Sequence, residues 1–427
     1  MKVRIEPGTI NGTITAPPSK SLTQRAFAAA LLHRGTSIIR NTGISADELA
    51  ALGIIAQLGA TVTVSTQPDG LRTVTVVSKG IAPLSAEINC GESGLAARLF
   101  TPIAALHHTP LTITGNGTLL RRPLNGITGA LESLGVSVSG FSGHIPFTVC
   151  GPIIPMSLRV DAGGSSQFIS GLLFALSACV TAPITLKVYN LESTPYIDLT
   201  LSVLANFGKP IVNHRYKEFY IDPANFSYRD TVTYTVEADW SSASCLLVGG
   251  ALGGAITVTN LNRNSMQADS ALLSALESAG VAVTYSENAV TTRTSTINPF
   301  DFNATQCPDL FPALAAMAAY CNGECNIRGV HRLFNKESNR IESITEMLWR
   351  YGIHFSVEDN ILTIEGETKT EHAYIEGYKD HRIVMAATIC ALRAKGPVTI
   401  TGAESVNKSY PDFFTHLQQC GLQCTFI

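Results

Sequence analysis

Lysine and arginine recur in this chain beside hydroxyl and carboxyl residues, at places where packing alone asks for neither. Lys20, Ser21 and Arg25 stand together in APPSKSLTQR. Two prolines hold the approach extended there, and a helix after them keeps Lys20 and Arg25 within about a turn of each other. Such a trio suits a phosphate or a carboxylate. Ser165, Ser166 and Gln167 follow two glycines and open an apolar run, so they offer neutral donors at a helix N-terminus, which read an oxyanion without adding charge. Asn335-Lys336-Glu337-Ser338-Asn339-Arg340 crowds two cations around a carboxylate; taken alone, it fits an exposed helix turn stitched by ion pairs equally well. Asp380-His381-Arg382 opens an otherwise apolar helix pattern with three ionisable groups. Arg122-Pro123 and Lys408-Ser409-Tyr410-Pro411-Asp412 add cations at the expected starts of two further helices, one in each half of the chain.

Composition narrows what these clusters can serve. The chain has 427 residues, 45% of them hydrophobic and 15% charged, with a formal net charge of −3. That charge gives no general attraction to nucleic acid or to an anionic membrane, so each basic cluster needs a local explanation. No apolar run approaches the roughly 18 residues of a membrane span, and the N-terminal MKVRIEPGTINGTITAPPSKS lacks an apolar signal core. A cytoplasmic protein is expected. The ten cysteines lie mostly in apolar runs, as buried thiols do, and the pairs Cys321/Cys325 and Cys420/Cys424 have no histidines at zinc-site spacing. No zinc-ligand motif, nucleotide loop or dinucleotide fingerprint competes in the pattern, so recognition of a phosphorylated substrate without a nucleotide cofactor is expected.

The elements that must position the clusters repeat. A polar cap followed by a small-residue apolar helix occurs as KSLTQRAFAAALL, ESGLAARLFTPIAAL, SSQFISGLLFALSA, SSASCLLVGGALGGA, PDLFPALAAMAAY and DHRIVMAATICAL. Their second cap residues, Ser21, Ser93, Ser166, Ser242, Asp309 and His381, are spaced by about 67–76 residues. A β-type run follows each helix. A second helix pattern then stops at Gly59, Gly135, Gly208, Gly280, Gly352 and Gly421, which recur with the same period; glycine closes a helix by taking the left-handed conformation. Six α/β units therefore tile the chain, with the first helix of each apolar nearly all round and buried, and the second more polar. For Ser241 and Ser242, simple helix capping is the expected role. Length favours two domains.

In this order and across nearly the whole chain, PSKSLTQRA, GESGLAAR, RRP, GGSSQF, STPYIDLT, VEADWSSAS, NRNSMQAD, NKESNR, KDHR and NKSYPDFF resemble the enolpyruvyl transferases, and among them the 5-enolpyruvylshikimate-3-phosphate synthases. The resemblance implies a two-domain inside-out α/β barrel of six βαβαββ repeats, three per domain. One domain would span 19–236 and the other 1–18 plus 237–427, hinged to close around substrate. It implies phosphoenolpyruvate and shikimate 3-phosphate as substrates and no cofactor. Lys20, Ser21, Arg25, Ser165, Ser166, Gln167, Ser193, Tyr196, Asp309 and Lys336 would hold shikimate 3-phosphate. Lys20, Gly94, Arg122, Gln167, Arg340, Arg382 and Lys408 would hold phosphoenolpyruvate. Asp309 would act as base at the acceptor hydroxyl and Glu337 as the acid that protonates the enolpyruvyl methylene, with Lys20 sharing a proton step.

Three residues depart from the common pattern: Glu92 and Leu95, where many relatives carry Asn and Thr, and Arg332, where Asn is common. An extra carboxylate at Glu92 weakens binding of an anion unless it is paired. Two rival readings keep the cleft and change its use. A UDP-N-acetylglucosamine enolpyruvyl transferase has a reactive cysteine before its RP motif, whereas this chain reads GNGTLLRRP. A silent phosphometabolite-binding relative has no need of the acid/base set. A monomer is expected, since no heptad or long apolar surface pattern announces an interface.

Overall fold

The computed structural model describes residues 1–67, 70–124, 126–163, 165–366 and 373–427. The chain divides into two compact units, Pro18–Glu237 on the one hand and Met1–Pro17 with Ala238–Ile427 on the other. Each is built from three copies of one pattern. A buried helix comes first: Lys20–Leu32, Gly94–Ala104 and Ser166–Cys179 in one unit, and Trp240–Leu252, Phe311–Ala318 and His381–Ala391 in the other. Every residue of Trp240–Leu252, Gly94–Ala104 and His381–Ala391 is buried, which explains their lack of a polar face.

Within each unit the three buried helices pack on one another, with four-stranded sheets on their outer sides. Small residues let the backbones approach. At Gly171, a Cβ would meet the carbonyl oxygens of Arg98 and Leu99 at 2.7 Å, so only glycine lets the third helix of Pro18–Glu237 lie against the second. The six stop glycines have φ between 70° and 105°, the left-handed caps that the period implied.

The sheets share one strand order. In the second copy, Glu87–Asn89 runs parallel to Leu111–Thr114, which pairs antiparallel with Phe147–Cys150, which pairs with Ser137–Ser139. Two leading strands are exchanged between copies of the pattern, and each pairing lies within one unit. Ile10–Thr15, just before the first buried helix, pairs in parallel with Gly254–Thr259, and Thr231–Thr235, just before the fourth, pairs in parallel with Gly35–Arg40. The last sheet closes on Lys2–Ile5, held between Val398–Thr401 and Cys424–Phe426.

Several local expectations shift. Ser93 and Ser165 are true caps, accepting from the N–H groups of Ala96 and Gln167, whereas Ser21, Ser166, Ser242 and His381 lie inside the first turn and Asp309 lies in a 3-10 turn. The fourth buried helix is capped by Asp239, not by Ser241 or Ser242, because the carboxylate reaches the Ser241 N–H at 2.8 Å and frees the serine hydroxyls for other partners. Arg122 and Lys408 sit at the ends of 3-10 turns, Gly117–Arg121 and Ala403–Lys408, and the helices expected there start only at Ile127 and Phe413. Gly164 of GGSSQF lies outside the described residues. Among the described residues no helix is long and apolar enough to cross a membrane.

Candidate active site

In Pro18–Glu237 the cap loops gather most of the expected anion-binding residues. Lys20 Nζ pairs with Asp47 Oδ2 at 2.9 Å, with only 14% of the lysine side chain exposed. Arg25 is fully buried. Its Nε donates to Thr200 Oγ1 at 2.9 Å, and its terminal nitrogens donate to the carbonyls of Ser21 (3.0 Å) and Tyr196 (3.2 Å). These are neutral acceptors, and burial pulls the guanidinium down to about 10. Arg25 thus ties two of the expected acceptor residues together by their backbones. Ser193 is buried in the left-handed region at φ 56°, its carbonyl accepting from the Tyr196 N–H.

Arg98, absent from the candidate set, organises the second cap. It is 6% exposed and donates to the carbonyls of Gly94 (3.1 Å) and Pro123 (2.6 Å) and, at 3.4 Å, to Gln167 Oε1. It therefore joins Gly94, the residue after Arg122, and Gln167. Arg122 lies so close to Gly94 that a Cβ there would sit 2.6 Å from the guanidinium carbon. Glu92 is paired: its Oε2 accepts from the Thr118 N–H at 3.0 Å and the Thr118 hydroxyl at 2.9 Å. Leu95 is 7% exposed and belongs to the core.

The other unit holds a dense ion cluster around Arg340. This arginine, 1% exposed, donates to Asp309 Oδ1 at 2.6 Å, Glu337 Oε2 at 2.6 Å and Asp380 Oδ2 at 2.8 Å. Asp380 is fully buried and also caps the His381–Ala391 helix by accepting from the Arg382 N–H at 3.0 Å. Asp309 takes Arg382 Nη2 at 3.2 Å, and Lys336 Nζ stands 3.6 Å away. Burial alone would raise the Asp309 carboxyl, but Arg382, Lys336 and Arg340 overcome it and hold the group well below the usual carboxylate range. Lys336 is pulled down by its burial, against the attraction of Asp309, with Arg340 and Arg332 adding to the fall. Arg332 contributes here by charge. Lys408 is buried in the same unit.

A further carboxyl adjoins this cluster. Asp269, 3% exposed, accepts from the Ser241 hydroxyl through one oxygen, and its Oδ1 has no hydrogen-bond partner among the described residues. Burial, with the Asp309 charge adding, pushes it up to about 7 against the pull of Arg382. Sequence reasoning gave Arg98, Asp47 and Asp269 no part in the site, and singled out Asp380 with its cluster without assigning it a partner. The available signal was an ionisable residue inside or beside an apolar helix run, as in GLAARLF and KDHRIVM.

In chemical terms, one unit presents Lys20, Arg122 and hydroxyl-bearing caps, which suit anionic oxygens. The other presents two partly exposed carboxylates, Asp309 and Glu337, among three cations. Comparison with known proteins agrees on a single class. A family model described as EPSP synthase (3-phosphoshikimate 1-carboxyvinyltransferase) matches residues 5–417. The 3-phosphoshikimate 1-carboxyvinyltransferase of Thermococcus kodakarensis is 38% identical over 412 residues, covering 96% of this chain and 97% of that one. The protein of the same name from Clostridium novyi is 33% identical over 425 residues, covering 98% and 97%. The fold is also that of EPSP synthase from Acinetobacter baumannii, with a TM-score of 0.82 at 24% identity over 99% of each chain. It is shared by the enolpyruvyl transferase NikO from Streptomyces tendae, with a TM-score of 0.80 at 17% identity over 99% and 98%.

Proposed function

The chain belongs to the EPSP synthase family, and from that premise we propose that it moves the enolpyruvyl group of phosphoenolpyruvate to the 5-hydroxyl of shikimate 3-phosphate, releasing inorganic phosphate. The observation that carries this reading is the Asp309–Arg340–Glu337 constellation, two carboxylates on one buried guanidinium with Lys336 and Arg382 beside the first. The reaction needs a base at a hydroxyl, an acid at a methylene carbon and cations for a leaving phosphate, and no redox or nucleotide group.

Asp309 accepts the proton of the 5-hydroxyl as its oxygen bonds to C2 of phosphoenolpyruvate. Glu337 delivers a proton to C3 and recovers one when the C2–O bond to phosphate breaks. Cations that bind the donor also govern the base. Held by Arg382, Lys336 and Arg340, the Asp309 carboxylate is a poor proton acceptor. Anionic substrate that draws Arg340 and Arg382 onto itself leaves Asp309 with less positive charge and a higher proton affinity. Arg340, Arg382 and Lys408, with Lys20, Gly94, Arg122 and Gln167, hold the donor. Ser21, Ser165, Ser166, Ser193, Tyr196 and Lys336 hold shikimate 3-phosphate, with Arg25 setting Ser21 and Tyr196 through their carbonyls.

Phosphate release tests the reading. Phosphoenolpyruvate with shikimate 3-phosphate should give steady release, which UDP-N-acetylglucosamine does not replace, and a Glu337→Ala variant should lose about 10²–10⁴-fold. Turnover with the nucleotide sugar would assign the sister activity. Tight binding of shikimate 3-phosphate without phosphate release would make the chain a silent relative.

A further inference from the structure

Glu92 introduces a negative charge one residue before the cap of the Gly94–Ala104 helix, in the loop that also places Gly94 against Arg122. A carboxylate beside a site for phosphate and carboxylate is unfavourable by charge alone. Its geometry gives it a different task. One oxygen, Oε2, accepts both donors of Thr118, a residue 3% exposed. Thr118 is in the first turn of the 3-10 segment Gly117–Arg121, whose C-terminal cap is Arg122. The carboxylate occupies the space that a side chain at residue 117 would need, since a Cβ there would lie 2.3–2.5 Å from the Glu92 carboxylate atoms. Gly117 has φ 57°, so both its backbone and its missing side chain fit Glu92.

The two loops are joined again by backbone. The Asn116 N–H donates to the Gly91 carbonyl at 2.8 Å, and the Cys90 N–H to the Thr114 carbonyl at 2.9 Å. On the far side of Arg122, Arg98 holds the Pro123 carbonyl. Arg122 is thus fixed from its N-terminal side by the Glu92–Thr118 pair and from its C-terminal side by Arg98. We propose that Glu92 is a positioning residue for the donor site: it locks the 3-10 turn through Thr118 and so sets the Arg122 guanidinium where phosphoenolpyruvate is bound. This rests on the reading of Arg122 as a phosphoenolpyruvate ligand.

The sign of one kinetic change separates this from a simple charge effect. If Glu92 acted only as a nearby negative charge, Glu92→Ala would lower KM for phosphoenolpyruvate. As a lock, its loss frees Arg122 and raises that KM about tenfold, while KM for shikimate 3-phosphate changes less than about twofold. Glu92→Gln keeps an oxygen that accepts both Thr118 bonds, so it restores KM for phosphoenolpyruvate to near the parent value. Thr118→Val removes the hydroxyl bond alone and gives an intermediate rise, which keeps the test usable if Glu92→Ala folds poorly. Arg122→Ala is measured in parallel and raises KM for phosphoenolpyruvate further. An unchanged or lowered KM in Glu92→Ala beside a raised one in Arg122→Ala overturns the inference, as does an equal rise for both substrates. A normal KM in Arg122→Ala removes the Arg122 reading itself.

Discussion

Replacing Asp380 by Asn should destabilise the Met1–Pro17/Ala238–Ile427 unit by about 3 kcal/mol. Asp380 is fully buried and meets Arg340, itself 1% exposed, through Nε at 2.8 Å and Nη2 at 3.3 Å. Taking one partner from a buried ion pair costs about 3–5 kcal/mol, because the remaining charge stays desolvated. Asp309 and Glu337 still face the guanidinium at 2.6 Å each, which places the loss at the lower end of that range. For a unit of roughly 200 residues, about 2–4 °C of melting temperature accompanies each kcal/mol, so thermal unfolding at pH 7 should shift by about 6–12 °C. Asn keeps an oxygen for the Arg382 N–H cap. Asp380→Ala loses it and should cost about 1 kcal/mol more. Ser338→Ala, which removes a neutral hydroxyl 3.1 Å from the same carboxylate, should cost only about 0.5–1.5 kcal/mol. An Asn variant that melts within about 2 °C of the parent would refute the argument, since Asp380 would then not compensate Arg340.

Other outcomes follow from the same geometry. Asp269 keeps its proton to about pH 7 when folded and gives it up near 4 when unfolded. The folded state therefore binds more protons in that window, and stability falls as pH rises from about 4 to about 7 and is flat above; Asp269→Asn should abolish this slope in melts taken across pH 5–8. Asp309 has the opposite sign, since its depressed carboxyl contributes stability above about pH 4 that is lost as pH falls through its folded value. Asp309→Asn should flatten the acid limb of the same melting series. Gly94→Ala pushes the Arg122 guanidinium away and should raise KM for phosphoenolpyruvate about 10–100-fold with little change for shikimate 3-phosphate. Asp47→Asn weakens the anchor of Lys20, which is assigned to both substrates, so both KM values should rise by about 3–10-fold.

The repeats were legible because their signals are local. A helix stop such as Gly208 or Gly352 declares its conformation within a few residues, and the apolar run after Asp380 declares a buried helix by itself. The charged clusters were legible by type and position, but their internal connections were not. Lys20 finds Asp47 across 27 residues, Arg98 finds Gln167 across 69, and Arg340 finds Asp380 across 40. The apolar run GLAARLF points to burial of Arg98, but only the packing of the Ser166–Cys179 helix against its own helix supplies Gln167 as its partner. Glu92 shows the same limit. Its charge was evident in the sequence, whereas the Thr118 donors that neutralise it depend on the fold of a loop 26 residues further on.

The exchanged strands have a consequence for the order in which the chain is made. Ile10–Thr15 leaves the ribosome early, but its parallel partner Gly254–Thr259 follows only after about 240 further residues, or roughly 12–48 s of synthesis at ~5–20 residues per second. Lys2–Ile5 waits longer still, for Val398–Thr401 and Cys424–Phe426. Meanwhile Pro18–Glu237 can complete its first sheet once Thr231–Thr235 has emerged. The nascent chain therefore carries a folded middle and a loose leading end whose strand edges are open to wrong partners. A nascent-chain length series probed by protease should show the middle becoming resistant once Thr231–Thr235 has emerged, with Lys2–Ile5 cleavable until Val398–Thr401 and Cys424–Phe426 have followed.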